Sequence, residues 1–192
     1  MCIRDRLKAS QQEAGFGQFK NGGLAQLSIL HKLVQTHSVA GIAAAQNYQA
    51  TENELGFCYG RALLVHLLLR WNKVAAKHIY KVVHSGNLYY GGQDWSYHIA
   101  TMVWLPQSGF VVIDPLFEAP LPLKVWVRRN EVFMRSRTAS DSMFHIVDAA
   151  HYNFYQKKHH VRFLKMKETW PYFRDLGRDL AKHEKAYRSL WQ

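Results

Sequence analysis

The chain has 192 residues, a formal net charge of +11 and a pI near 9.7, and 48% of its residues are apolar. This apolar content excludes an intrinsically disordered chain, and 12 glycines and 5 prolines exclude a collagen-like protein. The length is typical of one domain, and no apolar run approaches the roughly 20 residues of a membrane span. Two cysteines, Cys2 and Cys58, are too few for a disulfide-stapled scaffold, so packing must supply the stability.

The first residues, MCIRDR, resemble translated adapter sequence and contain no apolar run of signal-peptide length. We therefore interpret residues 1–23 as an artefactual start and expect the native N-terminus to be missing. Cys2 then becomes a poor candidate for any function, and Cys58 is left as the thiol that needs an explanation.

Two helices are expected before the middle of the chain. Residues 24–35 carry apolar side chains at helical spacing, namely Leu24, Leu27, Leu30 and Val34. Residues 41–53 are small and polar and are typical of a loop. Residues 58–70, CYGRALLVHLLLR, are aliphatic almost all round, which predicts a helix buried in the core.

The pattern then changes to that of strands. Four segments rich in β-branched and aromatic residues are predicted as strands: 77–84, 97–105, 110–114 and 123–127. A glycine-rich turn over 86–96 and a tight turn over 106–109 separate the first three. From about residue 139 we expect helices again, with Ser140 or Asp141 as N-cap. This order of helices, antiparallel sheet and helices predicts an α+β fold.

The C-terminal part carries most of the positive charge, with 15 basic and 7 acidic residues in 121–192. Helical spacing puts Phe173, Leu176, Leu180, Tyr187 and Trp191 on one face, and Arg174, Arg178, Lys182 and Lys185 on another. We interpret 139–192 as a basic helical extension packed on a core of 24–138. A surface for acidic protein, nucleic acid or membrane is the alternative, but no finger, RRM or KH pattern accompanies it, so no nucleic-acid partner is expected.

Three residues form a candidate catalytic set. Cys58 begins the predicted core helix, where the helix dipole and free N–H groups lower a thiol pKa. His98 and Asp114 lie at the same open end of the hairpin that turns at 106–109. If the register matches their faces, the carboxylate can reach the imidazole and complete a set of nucleophile, base and orienting acid.

Ordinary structural roles compete with this interpretation. Most free cysteines are inert and buried, and Asp-Pro is a common turn. The chain order Cys, His, Asp, with the cysteine on a helix and the others on an antiparallel sheet, is nevertheless the layout of the papain-like superfold.

Three sequence blocks make the comparison more specific: FCYGRA at 57–62, WSYHIATMV at 95–103 and VVIDPLF at 111–117. Together they resemble the motif blocks of the bacterial protein-glutaminase (protein-glutamine deamidase) family, over about residues 56–128. The chain departs from the secreted members in its lack of paired cysteines and in its basic tail.

The resemblance implies a papain-like fold related to that of transglutaminases, and a hydrolase that uses Cys58 as nucleophile, His98 as general base and acid, and Asp114 as orienting acid. The expected reaction converts protein-bound glutamine to glutamate and ammonia through a thioester. Aromatic and polar neighbours of the motifs, Trp95, Ser96, Tyr97 and Tyr59, are weaker candidates for substrate binding. The expected partners are proteins or peptides with exposed glutamine, no cofactor is expected, a monomer is favoured, and a secreted or periplasmic location is suggested.

Other functions remain open at this stage. The same three residues could serve a transglutaminase or a cysteine peptidase, and a basic binding module with a structural Cys58 would need no catalysis. Gln46 and Gln49 are weak candidates for an oxyanion donor. His145, Asp148 and His151 on an expected helix, followed by His159 and His160, could bind metal, but surface histidines are the preferred interpretation.

Overall fold

A computed structural model of the protein describes residues 23–48, 57–90, 93–136, 142–149 and 166–191. These ranges form an α+β fold, as the sequence predicts. The helices are α1 Gly23–Gln35, α2 Ile42–Ala45, α3 Cys58–Trp71, α4 Leu123–Phe133 and α5 Met166–Tyr187, with 3-10 turns at Gln46–Tyr48 and Ala76–His78. The strands are β1 Ile79–Tyr90, β2 Gln93–Leu105, β3 Gly109–Ile113, β4 Leu121–Pro122, β5 Arg135–Ser136 and β6 Met143–Asp148.

The strands form one antiparallel sheet in the order β4-β3-β2-β1, and both β5 and β6 pair with the outer side of β1. The long β1–β2 hairpin supplies most of the sheet, and its register pairs His84 directly with His98. An irregularity between Ser85 and Leu88 adds one residue to β1, and Gly86 lies inside it with φ 144°. This glycine therefore serves a bulge, where a positive φ is needed.

Helix α3 lies between the sheet and two other helices, as its all-round aliphatic pattern predicts. One core cluster joins α1, α3, α5 and the sheet; among its fully buried members are Leu27, Leu30, Leu64, Leu68, Leu69, Val103 and Val111. The Thr101 hydroxyl donates a 2.6 Å hydrogen bond to the Ala62 carbonyl, which fixes α3 on β2. Truncating any of these leucines to alanine is expected to cost about 2–5 kcal/mol.

The opposite face of the sheet is covered by α4. Its Trp126 is fully buried and packs against strand side chains that point to the α4 face of the sheet, among them Val82, Met102 and Val112. Residues next to these in sequence, such as Val103, belong to the α3 side. This alternation is the period-2 pattern of strands that are covered on both faces.

The strand predicted for residues 123–127 is wrong, because this segment begins α4. Pro122, with φ −53° and ψ 140°, is the N-cap and lacks an N–H that a helix start leaves unpaired anyway. Trp126 and Asn130 then fall four residues apart on the buried face, and the Asn130 amide donates to the Trp126 carbonyl.

The helix expected from about residue 139 is wrong for Met143–Asp148, which form β6. This strand pairs with β1 from Tyr80 to Ser85, and its Phe144 stacks on His84 at 4.1 Å between ring centroids. Pairing with β1 outweighs the weak helical spacing of the histidines. Ser140 and Asp141 lie outside the described residues.

Two segments predicted as loops contain regular secondary structure in the fold. The turn expected over 86–96 is mostly strand, since β1 continues to Tyr90 and β2 begins at Gln93. The loop expected over 41–53 contains α2 and a 3-10 turn, and its end lies outside the described residues.

The amphipathic C-terminal helix is confirmed as α5. Leu176 and Leu180 are buried against the core, and Phe173, Tyr187 and Trp191 are partly buried there. The basic face that carries Arg174, Arg178, Lys182 and Lys185 is exposed. No helix in the described ranges is long and apolar enough to span a membrane.

Candidate active site

The β2 and β3 strands bring His98 and Asp114 together at one end of the sheet. His98 Nε2 lies 2.7 Å from Asp114 Oδ2, and both side chains are almost fully buried. Asp114 directly follows β3. The strand fixes where Asp114 lies, and the end of strand pairing lets the chain turn there. A carboxylate at this distance orients the imidazole and stabilises its protonated form.

Further donors hold the Asp114 carboxylate. Trp126 Nε1–H donates to Oδ2 at 2.8 Å, and the Leu116 backbone N–H donates to Oδ1 at 3.1 Å. Burial alone would raise the pKa of Asp114, but the charge and hydrogen bond of His98, with these two donors, hold that pKa below its ordinary value. The carboxylate is therefore ionised and fixed in orientation.

Cys58 is the first residue of α3 and is buried. Burial opposes ionisation of its thiol, yet its pKa lies below the ordinary value. The causes are the contact with His98, the positive charge of Arg61 and a hydrogen bond from the Ile99 N–H. The helix start adds a partial positive charge in the same direction.

His98 and Cys58 influence each other's protonation. Burial would lower the pKa of His98, but the charge and hydrogen bond of Asp114, followed by the contact with Cys58, raise it to about 9. Asp114 takes Nε2, and no backbone or oxygen partner in the described ranges uses the second ring nitrogen, Nδ1. A hydrogen bond and a charge interaction couple Cys58 to His98, so the pair favours a thiolate beside an imidazolium.

The structure separates the four weaker substrate-binding candidates into two groups. Tyr59 and Tyr97 are partly buried and pack against the cluster that contains Cys58. Trp95 lies farther out along β2, where its Nε1–H donates to the Tyr90 carbonyl, and Ser96 is exposed. Only the two tyrosines contact the surroundings of the thiol.

The other candidates fall elsewhere. Gln46 begins a 3-10 turn, whereas Gln49 lies outside the described residues. His145 and Asp148 are on β6, where a spacing of three puts them on opposite faces, and His151, His159 and His160 lie outside the described ranges. Within the part of the chain that the structure describes, no cluster of His, Cys, Asp and Glu could hold a metal ion.

The segment that contains these residues matches a known protein family. The family model described as Glutaminase matches residues 27–130, slightly more than half of the chain, and the match contains Cys58, His98 and Asp114. The chain belongs to the glutaminase family. This membership confirms the expected family and supports a deamidase or glutaminase function, as an amidohydrolase. No curated protein and no solved structure was found to match the chain.

Three residues around this glutaminase-family site were not predicted from the sequence. The strand predicted for residues 123–127 gives no reason to place the Trp126 indole beside Asp114. His31 on α1 lies with Nε2 3.3 Å from the Asp114 carbonyl oxygen, and burial lowers its pKa. His84 is paired with His98 across the sheet, and burial, followed by the charge of His98, lowers its pKa to about 4. No local motif marks any of them, because their roles come from tertiary contacts.

Proposed function

We propose that the protein is a protein-glutamine deamidase, which hydrolyses the side-chain amide of protein-bound glutamine through a thioester on Cys58. The observation that carries the proposal is the buried contact of Cys58 with a His98–Asp114 pair, within the segment matched by the glutaminase family. A nucleophile on a helix start that packs against an antiparallel sheet also supports a papain-like arrangement.

The first half of the reaction forms the thioester. The Cys58 thiolate attacks the glutamine carboxamide carbon, and the negative charge moves to the oxygen. The Cys58 backbone N–H, at the free start of α3, is the donor best suited to that oxyanion. When the C–N bond breaks, the proton of imidazolium His98 passes to the leaving nitrogen, and ammonia departs.

The second half regenerates the enzyme. Neutral His98 accepts a proton from water, the resulting hydroxide attacks the thioester carbon, and the C–S bond breaks to release glutamate and the thiolate. The proton left on His98 restores the starting ion pair, so the balance is one amide and one water converted to one carboxylic acid and one ammonia. Asp114 holds the ring in register in both halves.

The function is tested by ammonia release from casein, compared with free glutamine and with a short glutamine peptide. Mass spectrometry of the casein should show a gain of about 1 Da at glutamines, without new termini or incorporated amine. Failure of the folded wild type to release ammonia from any of these would overturn the function. Amine incorporation or chain cleavage in its place would assign the site to a transglutaminase or a peptidase.

The nucleophile is tested by Cys58→Ala with Cys2→Ser as the matched control. We expect Cys58→Ala to reduce ammonia release to the uncatalysed level and Cys2→Ser to keep full activity. Release that survives Cys58→Ala would contradict the assignment. Loss with Cys2→Ser alone would move the chemistry to the other thiol.

A further inference from the structure

Helix α5 lies beyond the segment matched by the glutaminase family, yet it packs against the residues around Cys58 at the start of α3. We propose that Tyr172 on α5 is a positioning residue for Cys58, acting through the residue before the thiol and the residue two after it. The inference rests on the proposed role of Cys58. It makes the C-terminal helix part of the active site's supporting structure.

The first contact is with Phe57, the residue immediately before Cys58. Phe57 has φ 44° and ψ 23°, a left-handed conformation that a non-glycine residue adopts only at a cost. Its fully buried ring stacks on Tyr172 with 4.2 Å between centroids and 18° between planes. Such a conformation persists only when packing holds it, and the Tyr172 ring is the closest stacking partner that does so.

The second contact is at Gly60, in the first turn of α3. A Cβ built on Gly60 would lie 2.4–2.7 Å from ring and hydroxyl atoms of Tyr172. The Tyr172 side chain therefore occupies the space that a side chain at residue 60 would fill. Alanine is a better helix former than glycine, so glycine at this position serves the contact and not the helix.

Tyr172 makes these contacts by packing, with its ring and its hydroxyl oxygen, and not by a hydrogen bond. Tyr172 is fully buried, and its hydroxyl has no hydrogen-bond partner among the residues that the structure describes. Tyr48 packs edge-on against the same ring at 5.5 Å and donates its own hydroxyl hydrogen bond to Asp175, one turn along α5. The ring is thus enclosed and its position is fixed.

Cys58 is consequently held from two sides. His98 and the Ile99 N–H contact it from the sheet, while Tyr172 fixes Phe57 and Gly60 on the side of α5. Without the tyrosine ring, Phe57 can relax to an ordinary conformation and shift the start of α3. The thiol then loses the His98 contact that lowers its pKa.

The test measures the pH dependence of iodoacetamide labelling at Cys58 in the full chain, followed on the peptide that contains Cys58. Tyr172→Ala should raise the thiol pKa toward its ordinary value. It should also lower kcat/KM for ammonia release about 100-fold, mainly through kcat, as expected for a thiol displaced by about 1 Å. Tyr172→Phe should restore both, because the hydroxyl makes no hydrogen bond that its loss would break.

Leu180→Ala is the matched control, since Leu180 is buried in the same core cluster two turns farther along α5. It should lower the melting temperature as Tyr172→Ala does but leave the thiol pKa unchanged. Equal thiol pKa shifts in the two variants would overturn the proposal and reduce Tyr172 to general packing. An unchanged thiol pKa in folded Tyr172→Ala would overturn it as well.

Gly60→Ala tests the contact between Gly60 and Tyr172 without changing the tyrosine. The added methyl should press on the ring and raise the thiol pKa in the wild-type background, but should have no further effect in Tyr172→Ala. Additive effects would contradict a shared contact. The labelling needs no substrate, so it reports on the position of Cys58 even if the protein releases no ammonia. The deamidase function and the positioning role of Tyr172 are therefore overturned by different results.

Discussion

Among the described residues, one buried and one partly buried histidine–aspartate pair differ in the direction in which the histidine pKa is shifted. In one, His98 and Asp114 are 2.7 Å apart, and the pKa of the histidine is raised to about 9. In the other, His37 and Asp179 are 3.1 Å apart, and the pKa of the histidine is lowered. The residue types and distances are similar, so the surroundings must account for the difference.

The second ring nitrogen distinguishes the pairs. Nδ1 of His37 accepts hydrogen bonds from the backbone N–H groups of Val39 and Ala40, both at 3.1 Å. That nitrogen must stay unprotonated to accept them, which agrees with a pKa lowered first by burial and opposed by Asp179. Nδ1 of His98 makes no such bond to a described residue, and the thiol of Cys58 favours its protonation.

The two aspartates differ as well. Asp179 also accepts hydrogen bonds from Tyr187 at 2.8 Å and Ser38 at 3.2 Å, and this group joins α5 to the segment after α1. Asp114 also accepts two further hydrogen bonds, from Trp126 and the Leu116 N–H, and these hold its carboxylate in place against His98. Under the proposed function, the His98–Asp114 pair would serve catalysis because its outer nitrogen is left for the thiol. The His37–Asp179 pair holds structure because the backbone uses that nitrogen.

The largest expected effect that separates the pairs comes from neutralising each aspartate. Asp114→Asn should lower kcat/KM for ammonia release about 10³–10⁴-fold, because the charge that keeps His98 protonated and oriented is lost. Asp179→Asn should change kcat/KM by less than about threefold and act on stability, because it lies in a structural contact. Steady-state ammonia assays and thermal melts on both variants check this. An equal loss of activity would contradict different roles for Asp114 and Asp179.

The pH dependence should show the same contrast. The thiolate–imidazolium form exists between the lowered pKa of Cys58 and the pKa of His98 near 9, so kcat/KM should fall on the alkaline side near pH 9. Asp114→Asn should move that limb to lower pH and Asp179→Asn should not. If the alkaline limb of the kcat/KM profile stays near pH 9 in Asp114→Asn, Asp114 is not what raises the pKa of His98.

Stability should depend on pH in opposite directions for the two histidines. The His98 pKa is above its unfolded value of 6.5, so its contribution is complete below about pH 6.5 and is lost as the pH rises through 9. The His37 pKa is below 6.5, so the unfolded state binds the extra proton and stability falls as the pH drops below about 6.5. In denaturant unfolding, His98→Gln should remove the alkaline limb of the curve. His37→Gln should reduce the acid limb, to which the buried His31 and His84 also contribute.

A smaller effect is expected from Trp126→Phe, which keeps a ring but removes the Nε1–H donor to Asp114. Losing a hydrogen bond to a buried carboxylate should cost about 1.5–3 kcal/mol of stability, and the less constrained carboxylate should lower kcat about tenfold. Trp104→Phe is the control, since Trp104 packs against the same cluster. Equal kcat values for the two variants would exclude a role of the indole N–H.

The smallest effect is expected from Tyr187→Phe, which removes one hydroxyl donor to Asp179. We expect a loss of about 1 kcal/mol in the free energy of unfolding and no change in kcat/KM. Chemical denaturation and the ammonia assay measure the two quantities. A change in activity would mean that the contact between α5 and the segment after α1 also controls the catalytic pair.

Helical periodicity was enough to predict α1, α3 and α5, because each exceeds ten residues and carries a continuous apolar pattern. Strand alternation and the turn at 106–109 placed His98 and Asp114 at one end of a hairpin, where the structure shows them in contact. The sequence patterns of 123–127 and 143–148 predict the wrong secondary structure, because short apolar runs fit either period. Contacts with distant residues decide them: Trp126 with Asp114, and β6 with β1.

The late position of β6 in the sequence matters for synthesis of the protein. Strand β1 finishes at Tyr90, but the partner for Tyr80–Ser85 on its outer side arrives only with Met143–Asp148. Until then, this stretch of β1 presents unpaired backbone groups to any other chain nearby, which is a template for aggregation. A fragment that stops at residue 130, where the family match ends, would keep that open edge permanently, so production of the protein should use the chain through its C-terminal residues.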